Sequence, residues 1–158
     1  MKGFIFCASA RLKTVTVLFF ISLIWLALFI QPAPAGSLKA PEFSLPDLKG
    51  EQTSLSGLAG KEKLLLLFWT TWCPHCQTAL RDLKAKKINY RLVTINIGEP
   101  RERIERFFKS NGYNFTTLLD LEGEAAASYG VFGIPTFVIV EKDSTITYRD
   151  NVAPSDLE

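Results

Sequence analysis

Apolar residues fall into three kinds of run along this 158-residue chain. The first, residues 14–30 (TVTVLFFISLIWLALFI), is apolar on every side and carries no charge. At about 1.5 Å of rise per residue it nearly matches the roughly 30 Å hydrocarbon thickness of a bilayer, which predicts a transmembrane helix and disfavours a buried core helix. The second kind is short and continuous. Residues 64–69 (LLLLFW) are too few for an independent helix and predict a strand buried on both faces at the centre of a sheet. Residues 90–97 (YRLVTINI), 136–140 (TFVIV) and 145–148 predict three more strands, the last two joined as a hairpin through the turn at 141–144.

The third kind has helical spacing. Cys76, Ala79, Leu80 and Leu83 recur on one side while Arg81, Lys84, Lys86 and Lys87 take the other, predicting an amphipathic helix from Pro74 to near Asn89. Pro100 suits a first helical position, and Ile104, Phe107 and Phe108 form the buried stripe of a second helix that Asn111-Gly112 stops. Residues 122–129 predict a short alanine-rich helix before Gly130. Near the start, residues 43–45 and 52–55 flank the turn Asp47-Leu48-Lys49-Gly50 as a small hairpin, followed by a helical turn at 54–58. Strand and helix alternate before the closing hairpin, the pattern of an α/β sheet with a mixed edge.

Charge refines the membrane reading. Lys2, Arg11 and Lys13 precede the apolar run, so the positive-inside rule puts residues 1–13 in the cytoplasm and everything after the span at 14–30 outside. A Pro- and Gly-containing tether, residues 31–40, leads to a domain at 41–158. The alternative is a cleaved signal peptide, because Ala33-Pro34-Ala35 has the small-x-small form of a cleavage site; the domain would then be secreted after cutting near Ala35. The retained anchor is favoured because the run is longer than a signal core of about 7 to 15 residues and a proline lies within the cleavage sequence. The formal net charge is +2, and without those three cations the chain is within one charge of neutral, which implies no nucleic-acid surface.

Cysteine usage points to chemistry. Cys7 precedes the apolar run, and Cys73 and Cys76 form the one close pair, so the exported part has no disulfide framework. A bridge across two intervening residues closes too small a loop to restrain much unfolded-chain entropy, which makes this pair redox-active rather than a staple. At the junction of a central strand and a helix, the Cys73 sulfur would face unpaired backbone N–H groups and the positive end of the helix dipole, both of which favour an accessible thiolate. Cys76, one turn deeper on the same face, is placed to resolve a mixed disulfide. Pro74 loses nothing in the first turn, and His75 can offer a proton or positive charge to Cys73. Structural zinc lacks ligands, because the exported part adds only His75, and covalent haem attachment needs a histidine where Gln77 stands.

The run Phe68-Trp69-Thr70-Thr71-Trp72-Cys73-Pro74-His75-Cys76 resembles the signature of the thioredoxin superfamily. The opening Pro41-Glu42-Phe43-Ser44-Leu45-Pro46-Asp47-Leu48-Lys49-Gly50 resembles that of its TlpA/ResA branch, membrane-anchored proteins of extracytoplasmic thiol chemistry and cytochrome c maturation. Residues 129–136 (YGVFGIPT) are similar to the family segment ending in a cis-proline. The resemblance implies a thioredoxin-like central mixed sheet flanked by helices, with an N-terminal β-hairpin extension. It also implies a cis Pro135 packed against Cys73, Ile134 pairing with an incoming peptide, and Trp72 shielding the disulfide. Leu67 and Ala79 stand where relatives carry a buried acid, Arg81 replaces a helix proline, and the family's closing helix is missing after Pro154. Pro74-His75 is the dipeptide of DsbA, whose potential of about −120 mV contrasts with about −270 mV for thioredoxin, and it implies a centre more oxidising than thioredoxin's.

The function expected is thiol-disulfide exchange on exported cysteine-containing proteins with a membrane redox partner and no cofactor or metal. Two alternatives are a peroxiredoxin-like peroxidase and a redox-inert peptide-binding module. For the first, Thr70 stands three residues before Cys73, but Leu66 replaces the proline expected further back. The second would use the Ile134-Pro135 edge without either thiol.

Overall fold

The computed structural model describes residues 38–155 and 157. The expected cytoplasmic segment 1–13, the anchor at 14–30 and most of the tether lie outside the described residues. Among those described, no helix is long and apolar enough to cross a membrane.

Strands β1 (Ser44–Pro46) and β2 (Gln52–Ser54) pair antiparallel, and the single-turn helix α1 (Leu55–Leu58) follows with Ser54 as its cap. The main sheet is built from β3 (Leu64–Trp69), β4 (Arg91–Ile97), β5 (Thr117–Asp120), β6 (Thr136–Val140) and β7 (Ile146–Asp150), in the order β5-β4-β3-β6-β7. β4 runs parallel to both β3 and β5, whereas β6 is antiparallel to β3 and β7 to β6. Helices α2 (Pro74–Ala85), α3 (Arg101–Asn111) and α4 (Glu124–Ser128) connect the strands.

The strand expected at residues 64–69 is the central one, and each of its six residues is fully buried. Its two-residue period divides the core. Leu64, Leu66 and Phe68 pack with Val93, Ile95, Leu118, Val138 and Tyr129 on one face. Leu65, Leu67 and Trp69 pack with Cys76, Leu80, Ile104, Phe108 and Phe137 on the other. This second face carries α2 and α3. Trp69 stacks on Phe108 with ring centroids 5.7 Å apart and planes 9° from parallel, and Phe107, Tyr113 and Phe115 continue the aromatic layer.

Four elements depart by more than one residue from the sequence expectation. α2 stops at Ala85 rather than near Asn89, because Ile88 turns inward onto the second core and the Asn89 N–H donates to the Leu157 carbonyl (2.9 Å) instead of continuing the helix. β5 was not expected at all. Its four residues are too short to display a period, and its burial comes from lying beside β4, where Thr94 and Thr117 share a hydroxyl hydrogen bond (2.8 Å). β7 begins one residue later and runs two further than expected. α4 is shorter than 122–129 because the buried Asp120 carboxylate accepts from the N–H groups of Ala125 and Ala126 (3.2 and 2.8 Å), which sets the helix start after Gly123. Gly112, at φ 62°, ends α3 in the left-handed conformation expected of it.

Candidate active site

The Cys73–Cys76 pair sits where the central strand gives way to α2. Cys73 is the cap of α2, and its sulfur accepts a hydrogen bond from the Cys76 N–H at 3.2 Å. Pro74 follows at the first helical position, where its missing N–H costs no bond. The two sulfurs differ in environment. Cys76 is fully buried against the second core, and burial, followed by the hydrogen bond with the Cys73 sulfur, pushes its thiol up to about 12. Cys73 keeps 5% exposure, less than an accessible sulfur implies, because the segment before β6 closes over it. Its thiol donates to the Ile134 carbonyl at 3.7 Å.

The Ile134-Pro135 peptide bond is cis, as the resemblance implied. Ile134 is half-buried and Pro135 buried. Asn151, just beyond β7, fastens this segment: its amide donates to the carbonyls of Gly133 (3.1 Å) and Pro135 (2.6 Å) and to the Thr136 hydroxyl (3.1 Å). Nothing in the sequence marked Asn151, since it lies in a polar stretch with no periodicity.

The remaining residues singled out are on the rim. Trp72 is 66% exposed, so its ring lies largely in solvent rather than packed as a shield. His75 is exposed on the first turn of α2 and its side chain makes no hydrogen bond or ion pair among the described residues; it lines a groove of about 440 Å³ together with Ala79, Asp82, Pro135, Phe137 and Asn151. Leu67 and Ala79, which replace the acids of relatives, both belong to the apolar packing around Cys76, so that packing brings the thiol no carboxylate. Among the described residues no group of three or more His, Cys, Asp or Glu side chains is arranged to hold a metal ion.

One acid does reach the redox loop, from an unexpected direction. Glu99, between β4 and α3, is 3% exposed and accepts from the Thr71 N–H and the Thr71 hydroxyl, each at 2.6 Å, and from the Asn96 amide at 2.8 Å. The sequence placed Glu99 beside a charged, solvated helix face, where burial had no signal.

A parallel-centred sheet with an antiparallel edge, a C-x-x-C pair at a helix start and a cis-proline facing it define a thioredoxin-fold protein with a dithiol centre. More particularly, the chain belongs to the AhpC/TSA family, whose family model matches residues 37–149. It is 31% identical over 112 residues to the thiol-disulfide oxidoreductase ResA of Geobacillus kaustophilus, a match spanning 68% of this chain and 64% of that protein. It is also 31% identical over 132 residues to the thiol:disulfide interchange protein DsbE of Allochromatium vinosum, covering 80% of this chain and 72% of that one. The fold resembles the crystal structure of a putative thiol:disulfide interchange protein DsbE from Chlorobium tepidum, with a TM-score of 0.64, 26% identity and coverage of 80% and 92%. The chain thus spans just under two thirds of the length of the ResA relative.

Proposed function

We propose that this protein carries out thiol-disulfide exchange through Cys73 and Cys76. The observation that carries the reading is the asymmetry of the pair. One sulfur receives an N–H at a helix start beside the Ile134 carbonyl, and the other lies one turn below in an apolar core that keeps it protonated. In the reducing direction the Cys73 thiolate attacks a client disulfide, and one client thiolate leaves. Cys76 then gives up its proton and attacks the Cys73 sulfur of the mixed disulfide. The second client thiolate departs, two electrons have passed to the client, and Cys73 and Cys76 are left as a disulfide. Oxidation of a client dithiol is the reverse sequence. An incoming chain pairing with the backbone of Ile134 would replace the contact that now covers the Cys73 sulfur.

Pro74, His75 and Trp72 are assigned to tuning and flanking the sulfur, and Ile134 and Pro135 to holding the client. The clients are exported cysteine-containing proteins, including those of cytochrome c maturation or of disulfide formation, a reading supported by the ResA and DsbE relatives. The chain is held at the outer face of the cytoplasmic membrane by residues 14–30 with a membrane redox partner; membrane extraction of the full chain tests this, and recovery of a form cut near Ala35 would replace it. The decisive experiment is a Cys76→Ser variant, which should retain its client as a stable mixed disulfide through Cys73. Recovery of no adduct, together with no reduction of insulin disulfides by the unaltered protein, would sink the exchange reading. A potential at or below about −250 mV in a glutathione series would overturn the oxidising character drawn from Pro74-His75. The peroxidase alternative is disfavoured because the Thr70 hydroxyl is buried with no hydrogen-bond partner and so does not reach Cys73.

A further inference from the structure

A carboxylate that is 3% exposed needs a reason to be there, because removing its charge from water costs several kcal/mol unless strong hydrogen bonds replace the hydration. Glu99 has those bonds, and their direction is informative. Its Oε2 accepts from the Thr71 N–H and the Asn96 amide, its Oε1 accepts from the Thr71 hydroxyl, and Arg103 pairs with Oε1 at 3.5 Å. Charge-assisted bonds of this length are about twice as strong as neutral ones. The third polar group of Thr71 is also fixed, because the Gln77 amide donates to its carbonyl at 2.8 Å. Thr71 is thereby tied at its N–H, its hydroxyl and its carbonyl, two residues before Cys73. The neighbouring Thr70 hydroxyl, with no partner, contributes nothing to this fixation.

From this arrangement we infer that Glu99 is a positioning residue for the chemistry of Cys73. It acts through Thr71. The loop between β3 and α2 is the piece of chain that sets where the Cys73 sulfur lies relative to the Cys76 N–H and the Ile134 carbonyl, and Glu99 ties that loop to the far end of β4. The carboxylate bonds to the loop rather than capping the start of α3, which has no side-chain cap and where its place in the chain would otherwise direct it. The inference rests on the exchange reading for its biological meaning, but its test does not.

The test is the rate at which reduced protein is alkylated at Cys73 by iodoacetamide, alongside insulin reduction, for the unaltered chain, Glu99→Ala and Glu99→Gln. Glutamine keeps an oxygen for the Thr71 N–H and the Asn96 amide and turns its NH₂ toward a hydroxyl that can accept, so the tie survives without the charge. Alkylation should slow by about tenfold or more in Glu99→Ala, as expected for a reacting group displaced by a fraction of an ångström, and recover to within about threefold in Glu99→Gln. Equal alkylation of Glu99→Ala and the unaltered protein, with only a lower melting temperature, would make Glu99 a structural residue and overturn the inference. So would a Glu99→Gln variant as slow as Glu99→Ala, because the charge and not the tie would then matter. If Glu99→Ala does not fold, Thr71→Val decides, since it removes one bond of the tie and keeps the N–H: slowed alkylation supports the inference and an unchanged rate refutes it. Failure of the unaltered protein to reduce insulin would count against exchange alone, because alkylation reads the placement of the sulfur whatever its natural partner.

Discussion

The two faces of the sheet use alternate residues of the same strands, yet they bury different chemistry. Toward the β1–β2 hairpin, Phe43, Phe68 and Tyr129 form an aromatic cluster with centroids 6.1 and 5.4 Å apart, and the Tyr129 hydroxyl closes it by donating to the Pro41 carbonyl at 2.9 Å. Toward α2, the apolar packing is interrupted. Asn96 stands opposite Trp69 and Thr94 opposite Leu67, both polar and fully buried, with Glu99 at the end of the row and the two thiols beside it. The first face is sealed and supplies cohesion. The second gives up part of its apolar area to polar groups, of which Asn96 and Glu99 fix the loop before Cys73, and its burial raises the Cys76 thiol, which the proposed exchange would have to deprotonate. Side chains one residue apart in the central strand therefore answer to different demands.

The largest effect that can separate the faces is loss of the attacking sulfur. Cys73→Ser should abolish insulin reduction, a loss of more than about a thousandfold, while leaving the urea midpoint close to that of the reduced protein, because the exchange is close in volume and a hydroxyl can also accept the Cys76 N–H. Retained activity would break the assignment. Next, Phe68→Ala opens a cavity on the sealed face and should cost about 3–5 kcal/mol in chemical denaturation, with the Cys73 alkylation rate of the remaining folded protein unchanged. A proportionate fall in that rate would mean that the two faces are not separable.

A pH series sharpens the comparison further. The Cys76 thiol is raised from 9.0 to about 12 in the folded chain, so below pH 9 it is protonated folded or unfolded and contributes no pH dependence. Above pH 9 the unfolded chain loses the proton while the folded chain keeps it, which favours unfolding, and stability should fall as pH climbs from 9 toward 12. Burial also raises the Tyr129 phenol above its ordinary 10.0, with the same sign, beginning one unit higher. Oxidation removes the Cys76 proton but not that of Tyr129. The urea midpoint of the reduced form should therefore begin to fall before that of the disulfide form, and coincident curves would contradict a buried protonated Cys76. The smallest effect expected is that of Tyr129→Phe, which deletes one hydrogen bond to Pro41 and should cost about 1 kcal/mol with no change in exchange rate.

Much of this arrangement was legible along the chain. The central strand was readable because LLLLFW is continuous, and the helix after it because its apolar spacing is regular. The placement of Cys73 and Cys76 at a helix start was readable from the junction of the two. The cis bond before Pro135 was available only through resemblance, since spacing says nothing about peptide isomers. β5 was hidden by its four-residue length, and Asn151 and Glu99 by polar surroundings that look solvated until the loops fold over them. Trp72 was expected to cover the sulfur, but the segment at Ile134 took that place and left the ring in solvent.

The chain by itself determined the longer periodic elements and pointed to the two sulfurs as the candidate reacting atoms, because periodicity and the C-x-x-C spacing are local properties. Tertiary structure decided which carbonyl meets the Cys73 sulfur, how deeply Cys76 is buried and where the Glu99 carboxylate points. Those outcomes depend on residues brought together across 28 to 61 positions of chain, and no local pattern encodes a contact between segments that meet only when the sheet closes.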